Sequence, residues 1–125
     1  MKKDIKDLLE IADDDLNIAK DNYKLKHYRI VVFSCQQAVE KYLKAYLEYK
    51  TGSYPLIHSI KNLIELCINI DKEFKYLYDI NADKLDKYYT GTRYPPFLQI
   101  NEEDAKEAIE IAEKVREFIL KKLNI

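Results

Sequence analysis

The chain has 125 residues, of which 47% are hydrophobic and 34% are charged, as is typical of a single globular domain spanning residues 1–125. Its 21 basic and 22 acidic residues nearly cancel, so no long-range attraction to nucleic acid or to an anionic membrane is expected. The chain has only two Gly and three Pro and no alternating strand pattern, which predicts an all-α protein.

The first predicted helix covers about residues 4–22. Its apolar residues recur at three- and four-residue steps and form one inward stripe: Ile5, Leu8, Leu9, Ala12, Leu16, Ala19 and Tyr23. Asp4, with Asp7 three residues later, is expected to cap the start of this helix. The charged N-terminal sequence argues against a signal peptide, and no apolar run reaches the ~18 residues of a membrane span. A cytoplasmic protein is therefore expected.

The second predicted helix, about residues 27–50, contains no Gly or Pro and should be ~36 Å long. Two apolar rows cover most of its circumference, which predicts a central helix with neighbours on several sides. The remaining positions form a polar strip: Gln37, Glu40, Lys41, Lys44 and Glu48. Glu40 precedes Lys44 by four residues, the favourable order for an ion pair on an exposed face. The strip is either a solvated face or a ligand surface on which Lys41 and Lys44 contact phosphate and Gln37 contacts a base or ribose.

A third helix should begin after Ser59, a good N-cap, and should break near residues 69–72. His58 directly precedes that cap, where free N–H groups and the helix dipole favour an anion. If the second and third helices are antiparallel, His58 lies near the C-terminal end of the second helix, beside Lys44. The alternative is that the His58 side chain only helps to cap the helix or bonds across the bundle.

Two shorter helical segments are predicted at about residues 73–78 and 82–89, with Gly91 as a C-cap. The last helix should begin at the cap residue Asn101 and end at Lys121 and Lys122. Together the elements predict an antiparallel four-helix up-and-down bundle with an additional short helix. Both cysteines fall on apolar helical rows at different heights, so two buried free thiols are expected.

Arg93 is one of only three arginines, and its planar fork can bind phosphate or carboxylate bidentately. Pro95 and Pro96 prevent a helix from continuing, so Arg93 and Tyr94 belong to a fixed loop. Nearby tyrosines, Tyr94 and the pair at residues 88–89, could stack on a base. The alternative is that Arg93 pairs with a bundle carboxylate such as Glu40 and locks the loop.

Three blocks of this sequence occur together in one known family. They are QQAVEKYLKAYL on the second helix, HSIKNLIEL at the start of the third, and RYPP at residues 93–96. In this order they resemble the HEPN family, a domain of higher eukaryotes and prokaryotes that is associated with nucleotide binding. The resemblance covers essentially the whole chain.

The resemblance implies a role without catalysis. HEPN ribonucleases carry a histidine four to six residues after an arginine, but no histidine follows His58 in this chain. What the resemblance implies instead is a small module that binds a nucleotide such as ATP or GTP. In addition to this role, or in place of it, the resemblance implies that the module assists a separately encoded minimal nucleotidyltransferase, as in a toxin–antitoxin-type pair. The alternatives are a ribonuclease toxin with an atypical site that uses His58 and Arg93, and a structural dimerisation module.

The expected ligand-binding residues are six: Gln37, Lys41, Lys44, His58, Arg93 and Tyr94. No catalytic residue and no cofactor are expected. No metal site is expected either, because the side chains at residues 13–15 point about 100° apart on a helix and cannot converge on one ion. Eleven tyrosines and the pairing tendency of the family favour a homodimer.

Overall fold

A computed structural model describes all 125 residues, and its regular structure is entirely helical, as predicted. Six α-helices follow one another along the chain: α1 (Lys3–Lys24), α2 (Tyr28–Thr51), α3 (Ile60–Ile70), α4 (Tyr76–Asp79), α5 (Lys87–Gly91) and α6 (Glu102–Lys122). Two 3-10 turns, Lys72–Lys75 and Ala82–Asp86, lead into α4 and α5. None of the helices combines the length and the apolar character needed to cross a membrane.

The central position of α2 is confirmed. Fifteen of its 24 residues are buried, because α1, α3, α5 and α6 all pack against it. One continuous core joins these helices, with Tyr42, Tyr46 and Phe74 among its largest fully buried side chains. The nearly complete apolar circumference of α2 is therefore explained by neighbours on several sides.

The helix directions follow from contacts between side chains. A three-residue turn joins α1 to α2, so these two helices run antiparallel. Tyr28 at the start of α2 donates a hydrogen bond to Glu102 at the start of α6. Further along, Tyr42 and Arg116 both bond to Asp13 of α1. The helices α2 and α6 therefore run in the same direction, which differs from the predicted up-and-down order, and the long connection between them returns the chain to the beginning of α2.

The connection at residues 52–59 does more than reverse the chain. It runs back along α2, so that the Gln36 side chain donates to the His58 carbonyl oxygen at 3.3 Å. From there α3 runs in the direction of α2, and just after its end the Phe74 ring lies 4.4 Å from the ring of Tyr46. The expectation that His58 lies at the C-terminal end of α2 is wrong: it lies beside the middle of that helix.

Three of the predicted helix ends can be compared with the structure. Ser59 caps α3 by accepting from the Asn62 amide at 3.2 Å, and Asn101 forms a reciprocal capping box with Asp104, as predicted. The predicted cap at Asp4 is wrong, because α1 already begins at Lys3 and Asp4 lies inside its first turn.

Gly91 does not cap a helix in the left-handed conformation, because only Gly52 among the glycines has a positive φ, of 84°. The reason for Gly91 is close packing instead. A Cβ atom there would lie 2.4 Å from Cδ1 of Leu98, and the Leu98 amide donates to the Gly91 carbonyl oxygen at 2.9 Å. Gly91 therefore allows the following loop to fold back onto α5.

Cys35 and Cys67 are both buried free thiols, as predicted. Burial raises the pKa of both, that of Cys67 to about 12. Both side chains therefore stay protonated at neutral pH and belong to the core.

Candidate functional site

Three side chains form a stack on the surface beside the middle of α2. The His58 ring lies against the Tyr89 ring, with 4.8 Å between centroids and 16° between planes. The Arg93 guanidinium carbon lies 5.0 Å from the centroid of the same Tyr89 ring. Two residues that the sequence predicted separately, His58 and Arg93, are therefore brought together by Tyr89 in what we call the His58–Tyr89–Arg93 stack.

A buried carboxylate fixes the orientation of His58. Its Nδ1 atom lies 3.3 and 3.2 Å from the two carboxylate oxygens of Glu40. The His58 side chain is 54% exposed, whereas that of Glu40 is only 5% exposed. Because Nδ1 is engaged, Nε2 is the ring nitrogen that remains without a partner in the chain.

The second partner of Glu40 is Lys44. Its Nζ atom lies 2.9 Å from Glu40 Oε2, and both side chains are buried. Residues 52–58 cover this pair, and the Tyr54 ring centroid lies 5.7 Å from Lys44 Nζ. The expectation of a solvated strip is therefore wrong for Glu40, Lys44 and Glu48, which are all buried. Tyr54 and His58 of the connection to α3 lie against Lys44 and Glu40.

The two remaining residues of the polar strip are half-buried and also have partners within the chain. Lys41 forms an ion pair of 2.5 Å with Asp15 of α1. The Gln37 side chain donates to the Gln36 side chain at 2.7 Å. A phosphate that bound Lys41 or Lys44 would have to compete with a carboxylate that is already in place.

The N-terminus of α3 is occupied as well. The Asp86 carboxylate accepts hydrogen bonds from the amides of Ile60 at 2.6 Å and Lys61 at 3.1 Å. It also accepts from the Ser59 hydroxyl at 3.3 Å. The free N–H groups that the sequence suggested for an external anion beside His58 are therefore taken by an anion of the chain itself. Asp86 lies three residues before Tyr89, so this contact also positions the stack.

The loop that carries Arg93 is held by backbone hydrogen bonds. The amides of Arg93 and Tyr94 donate to the Thr90 carbonyl oxygen at 3.1 and 3.2 Å. The buried Thr92 hydroxyl donates to the Tyr88 carbonyl oxygen at 2.8 Å. A cis peptide bond joins Pro95 and Pro96. Because the hydrogen bonds anchor its first residues to α5, the loop presents Arg93 at a defined position.

Arg93 forms no ion pair, and the alternative in which it pairs with Glu40 is not found. Its guanidinium carbon instead lies near aromatic rings, 5.6 Å from the centroid of Phe33 and 5.4 Å from that of Tyr94. The polar contact with Tyr89 is the main cause that raises the pKa of Arg93 above its usual value. Arg93 is therefore a fixed, exposed and permanently charged group with no carboxylate of its own.

Sequence reasoning identified His58 and Arg93 but not what connects them. Tyr89 was expected to stack on a base, whereas it stacks on His58. Asp86 and Asp15 were not singled out as partners, because each acts on a residue 26 positions away along the chain. No local pattern could have signalled these two contacts.

Comparison with known proteins gives one family. The model of the HEPN domain matches residues 5–123. The chain is similar to TT1696 from Thermus thermophilus, with 30% identity over 97% of this chain and 99% of that one, and a TM-score of 0.81. It is also similar to ST0689, an archaeal HEPN homologue, with 28% identity over 98% of each chain and a TM-score of 0.77. Among curated proteins, no sequence matches.

Proposed function

We propose that this chain, which belongs to the HEPN family, is a non-catalytic module that binds a nucleotide through its phosphates and assists a separately encoded minimal nucleotidyltransferase. The observation that carries the proposal is the unpaired Arg93 guanidinium, held over Tyr89 beside the half-exposed His58 ring. This is a surface on which a positive charge, a free ring nitrogen and aromatic faces lie together.

The chemistry of these groups suits a nucleotide. The edge of a guanidinium offers parallel N–H donors that match two phosphate oxygens, and stacking on a ring leaves this edge available. Tyr94 is 58% exposed and offers an aromatic face to a base. His58 Nε2 can bond a further oxygen. Lys44 would then act indirectly, because it holds the carboxylate that orients His58.

Lys41 and Gln37 have a supporting role in this proposal. Each is bonded within the chain, to Asp15 and to Gln36, and is only half-buried at the margin of the covered strip. They stabilise the position of α2 against α1 and of Gln36 against the connection to α3. Direct contact with the ligand is assigned to His58, Arg93 and Tyr94.

One observation favours the runner-up, a ribonuclease toxin with an atypical site. The Glu40–His58 pair beside Arg93 resembles a carboxylate-oriented imidazole next to a group that stabilises negative charge. The HEPN ribonucleases, however, carry their histidine four to six residues after the arginine, and no histidine follows Arg93 in this chain. Binding without catalysis is therefore the better-supported function.

The loop after Arg93 supports the partner role. Residues 93–99 are all exposed, and among them Tyr94, Phe97 and Leu98 leave 58%, 46% and 40% of their surface in solvent. Exposed apolar side chains next to an arginine are typical of protein interfaces. The proposal therefore includes association at this loop, with a second copy or with the nucleotidyltransferase. Sedimentation of the isolated chain at tens of micromolar tests the homodimer, which a monomer of 14.9 kDa would contradict.

Calorimetric titration with ATP, GTP and pyrophosphate tests the binding role. We expect weak binding to the wild type and its loss in Arg93→Ala, because that substitution removes the only unpaired cation of the stack. Lys41→Ala is the matched control: it removes the same charge, but from a residue already paired with Asp15. No heat with any ligand, or equal binding by Arg93→Ala, would place the function elsewhere.

An RNA cleavage assay separates the runner-up from the proposal. Repurified wild-type protein is expected to leave RNA intact. Cleavage that survives repurification and is abolished by His58→Ala would replace the proposal with the ribonuclease alternative.

A further inference from the structure

Two reciprocal contacts join the beginning of α2 to the loop after α5. The Arg29 guanidinium carbon lies 4.5 Å from the ring centroid of Phe97 in the loop. In return, the Arg93 guanidinium carbon of the loop lies 5.6 Å from the ring centroid of Phe33 in α2. Arg29 and Phe33 are four residues apart on one face of α2. The Arg29 and Arg93 guanidinium groups therefore both lie where this face of α2 meets the loop after α5.

Both arginines of these reciprocal pairs are exposed, and neither forms an ion pair. The third arginine of the chain behaves differently: Arg116 lies 2.9 Å from the Asp13 carboxylate. An arginine over a ring retains its full charge and the donors at its edge. The charges of Arg29 and Arg93 are consequently both available on one surface.

We propose that Arg29 is a second phosphate-binding residue and that the site takes ligands with two phosphoryl groups in series, a nucleoside diphosphate or triphosphate. This rests on the proposed function, in which Arg93 binds the first phosphate. Two guanidinium groups on one surface present two forks to one phosphate chain, and a monophosphate offers a phosphoryl group to only one of them.

A nucleic-acid backbone also carries phosphates in series. Binding to a polyanion depends on many cations, however, and this chain has a net charge of −1 with only two unpaired arginines on this surface. A small nucleotide engages two cations without requiring a wider basic surface. The observations therefore favour the free nucleotide.

Calorimetric titration of the full chain with AMP and ADP tests the role of Arg29. For the wild type we expect ADP to bind about tenfold more tightly than AMP, since one further charge-assisted contact contributes on this order. Arg29→Ala should lower the affinity for ADP to that for AMP and leave AMP unchanged. Phe97→Leu, which keeps the charge but removes the ring under Arg29, should give a smaller loss for ADP. Lys24→Ala removes one exposed charge five residues before Arg29 and should change neither affinity.

The inference is overturned if Arg29→Ala leaves the ratio of the two affinities unchanged, or if it weakens AMP and ADP equally. Tighter binding of a ten-residue oligouridylate than of ADP would also overturn it, in favour of nucleic acid. Failure of the proposed function is a distinct result: AMP binding that Arg93→Ala leaves intact, or no binding of either nucleotide to the wild type.

Discussion

Three cations of α2, Lys41, Lys44 and Arg29, differ in their partners. In the C-terminal half, Lys41 and Lys44 lie 2.5 and 2.9 Å from the carboxylates of Asp15 and Glu40. At the N-terminal end, Arg29 has only an aromatic ring beside it, as Arg93 has in the adjoining loop. The comparison shows that the charge of a cation is accessible to a ligand only where the chain supplies no carboxylate for it. Paired cations stabilise the fold, and unpaired ones remain free for a ligand.

The largest effect is expected at the buried pair. Glu40→Ala leaves the Lys44 ammonium buried without its carboxylate and removes the partner of His58. We expect the free energy of unfolding to fall by about 3–5 kcal/mol, measured by guanidinium denaturation. The double variant Glu40→Leu/Lys44→Met removes both charges at similar volume and should lie much closer to the wild type. A single variant as stable as the wild type would contradict the account of a buried, interdependent pair.

The second largest effect is expected at Asp86, whose carboxylate binds the free amides at the N-terminus of α3. Asp86→Ala should lower the free energy of unfolding by about 2 kcal/mol, because two backbone amides lose a charged acceptor. It also frees these amides, so sulfate should raise the melting temperature of the variant more than that of the wild type. Asp79→Ala, at an exposed carboxylate with no hydrogen-bond or ion-pair partner in the chain, is the control. An unchanged response to sulfate would mean that this helix end is not an anion site even when vacated.

The smallest effect is expected at the loop of Arg93. Gly91→Ala brings a Cβ atom to 2.4 Å from the Leu98 side chain. Because Leu98 is flexible and 40% exposed, we expect a loss of only about 1 kcal/mol in the free energy of unfolding. Displacement of the loop should nevertheless weaken nucleotide binding. The double variant Gly91→Ala/Leu98→Ala relieves the clash, and a failure to recover stability would show that Gly91 has another role.

Local patterns were sufficient to predict much of the fold. The apolar circumference of α2, the cap at Ser59 and the capping residue Asn101 depend on neighbouring residues in the sequence. The path of residues 52–59 does not depend on neighbouring residues in the sequence, since it is fixed by contacts such as that between Gln36 and the His58 carbonyl oxygen. The burial of Glu40 and Lys44 in the polar strip follows from that path. The prediction that these residues are solvated was therefore wrong.

The candidate site was predictable residue by residue but not as an arrangement. His58 and Arg93 have unusual chemistry for this composition and could be selected from the sequence alone. The two side chains lie together because both contact Tyr89. The position of Tyr89 in turn depends on the break after α3 and on the two short helical segments that follow it. Whether a lysine or an arginine stays unpaired likewise depends on which carboxylates the fold brings near, as Asp15 does for Lys41.

Heteronuclear NMR during a titration with pyrophosphate both detects the ligand and locates it on the surface. We expect shifts at the side chains of Arg93 and His58 and at the backbone of Tyr94, with the Lys41 and Lys44 ammonium groups nearly unchanged. Shifts centred on Lys41 and Lys44, or none at the His58–Tyr89–Arg93 stack at saturating ligand, would contradict the proposed site.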